Sequence, residues 1–231
     1  MTKIKYITHA CLDIQLNNLK ILTDPWLNGP SWGGNIWHFP KNKIGIEKIK
    51  RPDYIYFSHG HDDHFHNPTI SKMPEVWKKK CTVITPDFGE IWWNNEIKSA
   101  GFKNVIFLKN GEIFKANKES TFKVYINDCG DTDSSLLIKH KGKKIFLQTD
   151  NIMSSKAAKK IAKENKIDIA FCMPFMTGSF PAFYRVKPIK SNFIIKGSKI
   201  KKERSLEYST NIIKILKPKF TVPYACDIAY M

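Results

Sequence analysis

The residues best suited to chemistry form one short cluster, in which positions 59–64 read His-Gly-His-Asp-Asp-His. Imidazole nitrogens and carboxylate oxygens are good ligands for Zn²⁺, iron and Mn²⁺. His59 and His61, separated by one residue, can reach one ion from a loop. Asp63 and His64 follow, where they can bind a second ion or orient a bound water. The spacing predicts a metal site, with a solvated histidine-rich turn as the simpler alternative.

The cluster directly follows a segment with the pattern of a buried strand. The predicted strands are Lys3–His9, Cys11–Leu16, Lys20–Thr23, Asp53–Ser58, Cys81–Thr85, Val105–Leu108, Thr121–Ile126, Leu136–His140, Lys144–Gln148, Ile167–Met173 and Phe220–Val222. Helices are predicted from Asn67 to Lys79, after Asp87 to Ile97, from Ser154 or Ser155 to Lys163, and over Leu206–Leu216. Many strands come first and helices are interspersed later. This order favours an α/β layered sandwich over a doubly wound parallel sheet.

Length and composition bound the class of protein. The chain has 231 residues, 42% of them hydrophobic, and we expect a single domain over residues 1–231. No apolar run approaches the ~18 residues of a membrane span, and the first residues lack the apolar core of a signal peptide. The five cysteines include no C-x-x-C pair, which favours a reducing compartment. A cytoplasmic location is therefore expected, and the oligomeric state is left open.

The formal net charge of +17 comes mainly from lysine, since only three basic residues are Arg. Dedicated readers of nucleic acid usually use Arg for bidentate contacts, so we expect no specific nucleic-acid partner. An excess of Lys, Asn and Ile is also what AT-rich coding produces. The charge otherwise favours an anionic small-molecule substrate, because a positive field raises the rate of encounter with anions.

The H-x-H-x-D-H pattern after a strand resembles the signature of the metallo-β-lactamase superfamily, which His59, His61, Asp63 and His64 match position by position. Further motifs are similar to the branch that holds ascorbate-6-phosphate lactonase, N-acyl-phosphatidylethanolamine phospholipase D and CMP-N-acetylneuraminate hydroxylase. These motifs are Thr8-His9-Ala10, the segment 21–30 (ILTDPWLNGP) and the hairpin Lys139–Asp150, with weaker echoes at 178–181, 216–219 and 223–225. The resemblance covers nearly the whole chain and implies a four-layer αββα sandwich.

The resemblance also implies a zinc centre of one or two ions, with iron and manganese as alternatives. His59 and His61 would hold the first ion, and Asp63 and His64 the second. Asp150, at the end of the strand after a hairpin, would be the bridging carboxylate. Asp63 is the residue that we assign to catalysis, because it could orient the water or move a proton.

Two histidines that the superfamily usually supplies are missing. The loop before the hairpin contains no His, and counting back from the hairpin places Cys129 near the expected position. Asp128 or Asp131 could serve instead, or the ligand is lost. The late loop Pro223–Asp227 has no His either. A shortened C-terminus and an incomplete second site are the two explanations for that absence.

Three residues are expected to contact the substrate. His9 matches a position of the family near the metal cleft, and Trp26 belongs to a Gly/Pro- and Trp-rich loop that could form a pocket wall. Arg185 lies in the basic and aromatic segment Phe175–Lys202, which could receive an anionic substrate. For His9 and for both segments, packing or solvated loop structure is the alternative.

The leading hypothesis is a metal-dependent hydrolase that uses a metal-bound hydroxide on an ester, lactone or phosphodiester of an anionic small molecule. The second is a hydroxylase-like oxidoreductase component that acts on a nucleotide sugar and takes electrons from a separate protein. Neither C-x-H nor C-x-x-H occurs in the chain, so it carries no Rieske-type iron–sulfur motif of its own. The third hypothesis is a non-catalytic binding protein with a decayed metal site.

Overall fold

Two six-stranded sheets dominate the computed structural model, which describes residues 2–174 and 191–230. The strands are β1 Thr2–Thr8, β2 Cys11–Leu16, β3 Leu19–Thr23, β4 Ile36–His38, β5 Tyr54–Tyr56, β6 Thr82–Pro86, β7 Asn104–Leu108, β8 Ile113–Lys115, β9 Ser120–Ile126, β10 Ser134–His140, β11 Lys143–Leu147, β12 Ile169–Cys172, β13 Phe220–Pro223 and β14 Ile228–Tyr230. The first sheet has the order β1-β2-β3-β5-β6-β7, and the second β13-β12-β11-β10-β9-β8. Each sheet joins an antiparallel part to a parallel part.

Side-chain alternation along the strands builds the layers. In β10, Leu136 and Ile138 point into the core between the sheets, whereas Leu137 points outward. The outward face of the first sheet packs on the helices α1 Asn67–Ser71, α2 Glu75–Lys80 and α3 Ile91–Ser99. The outward face of the second sheet packs on α4 Ser155–Glu164 and α5 Ser191–Leu216. The fold is therefore the predicted αββα sandwich.

The β10–β11 hairpin was predicted, and it closes with a turn of two residues, since Lys143 already belongs to β11. His140 pairs with Lys143, so the loop consists of Lys141 and Gly142, with φ of 48° and 78°. Positive φ at both central residues is what a two-residue type I′ turn requires, and it matches the twist of the two strands. This turn fixes the register of the hairpin, including the Leu136–Leu147 pair near its open end.

The helices differ from the prediction in two places. The single helix predicted from Asn67 to Lys79 is wrong, because α1 and α2 are separated at Pro74, which has no N–H to continue the first helix. The last helix begins at Ser191 instead of Leu206. Ser154 caps α4 as expected, its Oγ accepting from the backbone N of Ala157 at 3.1 Å.

Three short strands were not predicted: β4, β8 and β14, each three residues long. β4 and β14 pair with each other in a separate ribbon, which ties the Trp-rich loop to residues 228–230. No helix within residues 2–174 and 191–230 is long and apolar enough to cross a membrane.

Candidate metal centre

The histidine-rich loop leaves the carboxyl end of β5, a strand in the middle of the first sheet. β5 runs parallel to both of its neighbours, β3 and β6. The carboxyl ends of parallel strands open at one edge of the sheet, which is where α/β proteins place their ligands. Asp150 follows β11 of the facing sheet. The two sheets therefore deliver histidines and carboxylates to the same edge.

Gly60 allows the loop to pass beneath two indole rings. A Cβ at this position would lie 2.8 Å from Cη2 of Trp92 and 3.1 Å from Cζ3 of Trp93. Real Cβ atoms essentially never show contacts below 3.0 Å. Trp93 is fully buried and Trp92 is 49% exposed. The glycine between His59 and His61 is thus a packing requirement of the metal loop.

A buried carboxylate at the end of β3, that of Asp24, organises the histidines from behind. It accepts hydrogen bonds from the backbone N of Ser58 at 2.8 Å and from Ser58 Oγ at 2.7 Å. Its Oδ2 atom lies 3.0 Å from Nδ1 of His64. Because a carboxylate only accepts, Nδ1 of His64 carries the proton. The lone pair of His64 is then on Nε2, which faces the cluster.

The same carboxylate acts on His59 through a hydroxyl group. Nδ1 of His59 lies 2.9 Å from Oγ of Ser58. Ser58 gives its hydroxyl proton to Asp24, so its oxygen accepts from Nδ1–H of His59. Nε2 of His59 therefore carries no proton, and it lies 2.9 Å from Nδ1 of His61. The sequence analysis assigned no role to Ser58 and used Asp24 only as part of a motif; a serine directly before the first His was the available signal.

Among the residues that the structure describes, three overlapping groups of side chains can each hold an ion. Within each group, the candidate ligand atoms lie within 4.8 Å of one another. The groups are His59, His61 and Asp133; His59, His64 and Asp150; and His9, Asp63 and His64. Five of the predicted ligands, His59, His61, Asp63, His64 and Asp150, are thereby brought together. Nε2 of His64 lies 3.4 Å from Oδ1 of Asp150 and 3.9 Å from Oδ2 of Asp63.

Asp133 is the acidic residue that the sequence analysis missed. Its Oδ1 atom lies 3.3 Å from Nε2 of His59, and the residue is 6% exposed. Burial, followed by the negative charge of Asp150, raises the pKa of Asp133 to about 7. Asp133 immediately precedes β10, just as Asp150 follows β11. That position at the open end of the hairpin was the signal that could have identified it.

Cys129 and Asp131, the predicted replacements for the third histidine, lie elsewhere in the same loop. Both backbone N–H groups donate to Oδ1 of Asn127, at 2.6 Å and 3.3 Å, which curls the loop outward. Cys129 is exposed, and its thiol donates to Asp128 at 3.7 Å. Asp131 is exposed at the mouth of the site. Neither belongs to the three groups, and Asp133 lies where the sequence analysis placed them.

The three predicted substrate contacts have different positions. His9 lies inside the cluster, with Nε2 3.3 Å from Oδ2 of Asp63. Trp26 is fully buried and stacks on His38 at 3.8 Å between ring centroids, with His9 on its edge at 5.5 Å. It thus supports the site from behind. Arg185 lies outside the described residues, as does the 178–181 motif.

The charges of the cluster are strongly coupled. Burial, then the neighbouring histidines, hold the pKa of His59 well below its usual range. Burial opposes ionisation of Asp63, but its interactions with His9 and His64 bring its pKa well below the usual range. Burial would lower the pKa of His64, but the charge of Asp150 and then that of Asp24 raise it well above the usual range. In the absence of an ion, the cluster thus keeps His59 neutral and Asp63 ionised but His64 protonated, so a metal bond to Nε2 of His64 would have to displace a proton.

A cavity of about 210 Å³ opens beside the cluster, lined by His61, Asp131, Thr132, Asp133, Asp150, Ile152 and Met173. Trp32 is 43% exposed, and its ring lies 5.4 Å from that of His61, one of the lining residues. The Nε1–H group of Trp32 donates to Oδ1 of Asp63 at 3.0 Å. An exposed aromatic ring thus adjoins the ligands and also orients one of them.

Comparison with known proteins agrees with this architecture. A family model described as Beta-lactamase superfamily domain matches residues 3–133, more than half of the chain. The chain belongs to this family and has the metallo-β-lactamase fold, which confirms the resemblance found in the sequence. Solved structures of similar fold include CmlA, a diiron β-hydroxylase from Streptomyces venezuelae, with a TM-score of 0.70 at 17% identity over 97% of this chain and 45% of that chain.

The names of other similar proteins describe either a hydrolase or a hydroxylase. Igni18, a metallo hydrolase from Ignicoccus hospitalis, superposes with a TM-score of 0.63 at 16% identity over 97% of this chain and 82% of its own. The cytidine monophosphate-N-acetylneuraminic acid hydroxylase of Mus musculus is 25% identical over 96% of this chain. The present chain spans 38% of the length of that hydroxylase.

Proposed function

We propose that this protein is a metal-dependent hydrolase with a two-ion centre. The observation that carries the proposal is the convergence of six side chains on one edge of the sandwich. His59, His61 and Asp133 form one group; Asp63, His64 and Asp150 stand beside it. Asp150 lies between the two groups, where it can bridge them. Zinc is the metal we expect, because all six donors are imidazole nitrogens or carboxylate oxygens.

The residues fit such a centre before any ion is added. Nε2 of His64 is buried and makes no hydrogen bond of good geometry within the described ranges, although Oδ1 of Asp150 lies 3.4 Å away. A buried polar atom without a partner costs about 1–3 kcal/mol, which a metal bond would offset. Burial, followed by repulsion from the charge of Asp150, raises the pKa of Asp133 to about 7. A cation between them would remove that repulsion.

When bound by these residues, the ions would lower the pKa of water from ~15.7 towards 7 and so make hydroxide available at neutral pH. The side chains of this chain hold and orient the reacting groups. Trp32 donates to Oδ1 of Asp63 at 3.0 Å, and Nε2 of His9 lies 3.3 Å from Oδ2 of the same carboxylate. Asp63 can therefore orient the attacking water or accept its proton.

An ester, lactone or phosphodiester of an anionic small molecule is the substrate class that we propose. Two divalent ions carry four positive charges, and Asp63, Asp133 and Asp150 carry three negative ones. These charges leave one positive charge before hydroxide is present and none with it, so contact between an ion and a substrate oxygen, not net charge, would favour an anionic substrate in the cavity of about 210 Å³. The cavity lining that the structure describes contains no Lys or Arg, so in that part the ions provide the attraction. Arg185 remains a proposed contact.

The experiment is metal analysis of zinc-supplemented protein together with a hydrolysis panel of phosphodiesters and lactones. One to two ions per chain and turnover of at least one class are expected. His61→Ala should lose turnover by ~10²-fold or more. His140→Asn is the matched control, because His140 hydrogen-bonds Ser120 at 2.8 Å outside the three groups. Substoichiometric metal without hydrolysis would overturn the proposal.

A second candidate function, an oxygen-dependent hydroxylase component, is favoured by one observation. His59, His61 and Asp133 form a two-histidine, one-carboxylate group, a donor set that also serves non-haem iron oxygenases. Such a reaction places one atom of O₂ on the substrate and the other in water, and needs two electrons from a separate donor protein and two protons from the solvent. A nucleotide sugar is the substrate that the similar hydroxylases suggest.

Metal identity and electron dependence separate the two functions. Bound iron, with O₂ consumption only when a ferredoxin-type donor is added, would support the hydroxylase component. Zinc, with turnover that is the same under argon and in air, would support the hydrolase. A decayed binding protein is disfavoured by the complete donor set around His64.

A further inference from the structure

We propose that His9 is a ligand of the second metal ion, completing a set with Asp63, His64 and Asp150. The inference rests on the proposed two-ion centre and assigns a further residue to it. His9 lies in the turn between β1 and β2, fifty positions before the histidine-rich loop. It is contributed by a different element from all the motif residues.

The geometry of the donor atoms fits one ion. Nε2 of His9 lies 3.3 Å from Oδ2 of Asp63, and Nε2 of His64 lies 3.9 Å from the same oxygen. All three donor atoms lie within 4.8 Å of one another. With metal–ligand bonds of about 2.1 Å, neighbouring donors around an ion stand roughly 3–3.5 Å apart. A small inward shift of His64 would complete the arrangement.

The burial of the ring points to a ligand as well. His9 is 1% exposed and His64 is fully buried. Neither ring nitrogen of His9, nor Nε2 of His64, makes a hydrogen bond of good geometry to a residue in the described parts of the chain. Buried polar atoms are normally paired, so these nitrogens need a partner. One cation between them would provide it for both rings.

The backbone of His9 is held in a costly conformation that aims its side chain at the cluster. Its φ is 44°, in the left-handed region that non-glycine residues rarely adopt. The carbonyl accepts from Tyr6 Oη at 2.9 Å and from the backbone N of Ala225 at 3.1 Å. The N–H group donates to Asp227 at 3.3 Å. The late loop Pro223–Asp227, which has no histidine, thus holds the backbone of His9 in place.

The competing role for His9 is positioning alone, in which Nε2–H donates to Asp63 and no metal bond forms. The two roles differ in what Nε2 carries. A ligand has its proton on Nδ1 and its lone pair on the metal, whereas a positioning residue keeps the proton on Nε2. A measurement on that nitrogen therefore distinguishes them without reference to turnover.

The test uses the full chain with ¹⁵N-labelled histidine, loaded with ¹¹³Cd²⁺. Long-range ¹H–¹⁵N spectra report each ring nitrogen, and a nitrogen bonded to cadmium shows scalar coupling to the metal. We expect coupling at Nε2 of His9 in addition to His59, His61 and His64. His9→Gln assigns the resonance by its loss, and His38→Gln is the control, because His38 lies behind Trp26 and outside the donor groups.

The stoichiometry provides a second readout. His9→Gln keeps an N–H donor for Asp63 but replaces the imidazole, so it should bind the second ion at least tenfold more weakly, with the first ion unchanged. Two bound ions with no coupling at His9, and unchanged affinity in His9→Gln, would overturn the assignment of His9 and leave the hydrolase proposal standing. Failure to bind any ion would overturn both.

Discussion

Nδ1 of His64 lies 3.0 Å from Oδ2 of Asp24, and both side chains are fully buried. The relationship decides which nitrogen of His64 faces the metal centre. Through Ser58, the same carboxylate also decides the tautomer of His59. His59 and His64, two candidate ligands of the histidine-rich loop, therefore both depend on Asp24 at the end of β3. Such supporting contacts commonly change metal affinity by about 10–100-fold when they are removed.

Asp24→Asn should weaken metal binding by about 10–100-fold. The amide could donate to Nδ1 of His64, which would move the proton of the ring to Nε2 and block the ligand atom. Isothermal titration with Zn²⁺ measures the affinity. Asp13→Asn is the matched control, because Asp13 pairs with Lys20 at 3.1 Å on the far part of the same sheet. Equal affinities for both variants would contradict the proposed control of the His59 and His64 tautomers by Asp24.

Gly60→Ala should displace the metal loop, because the added methyl group meets Trp92 at 2.8 Å. We expect a loss of about 1–3 kcal/mol in the free energy of unfolding, together with weaker metal binding. Urea denaturation and metal titration measure the two effects. The double variant Gly60→Ala/Trp92→Ala should recover part of the loss, since Trp92 is half exposed and its removal makes space. If the losses of the two single variants simply added in the double variant, the contact between the added methyl group and Trp92 would not be their cause.

Asp133→Asn should reduce the affinity for the first ion by at least tenfold, whereas Cys129→Ser should leave it unchanged. The expected difference follows from the 3.3 Å contact of Asp133 with His59 and from the exposed position of Cys129.

The metal-free Asp133→Asn protein should melt at a higher temperature than the parent at pH 8. Burial and Asp150 raise the pKa of Asp133 to about 7, so its ionisation at pH 8 destabilises the metal-free fold. Calorimetry with and without zinc measures the zinc affinity and the melting temperature of the metal-free protein. If Cys129→Ser lost zinc and Asp133→Asn did not, Cys129 would be the ligand instead of Asp133.

The stability of the protein should fall between pH 6.5 and pH 4 partly because of His38. Burial lowers the pKa of His38 to about 4, whereas the unfolded value is about 6.5. In this window the unfolded chain binds a proton that the folded chain excludes, so acidification favours unfolding. His38→Gln keeps a donor for the carbonyl of Trp26, 3.0 Å away, but does not titrate. The free energy of unfolding of His38→Gln, measured by urea denaturation, should therefore fall less steeply with decreasing pH than that of the parent. Parallel pH profiles of the two proteins would show that His38 does not cause the loss.

The layers and most strands could be predicted because their signals are local. Alternation in Leu136–Ile138 and the turn at Lys141-Gly142 define a hairpin without reference to the rest of the chain. The strands β4, β8 and β14 could not be found, since three residues carry too little pattern. The break at Pro74 was visible in the sequence, because proline cannot continue the hydrogen bonding of a helix.

The site was predictable where one motif carries it and obscure where the fold assembles it. His59, His61, Asp63 and His64 are four positions of one loop, so their spacing alone indicates a metal site. Asp133 was missed because counting residues back from a hairpin does not reveal which carboxylate turns inward. Asp24 reaches His64 only because β3 and β5 are neighbours in the sheet. Pairing of distant strands is a property that the sequence does not state.

The hairpin that separates Asp133 from Asp150 also offers a practical handle. Its strands are seven and five residues long, so the turn at Lys141-Gly142 stands about 20 Å from the two carboxylates. Both turn residues are exposed. A short epitope or a fluorophore attachment site inserted between them would report on the protein, or immobilise it on a surface, while the cross-strand ladder keeps the two carboxylates in place.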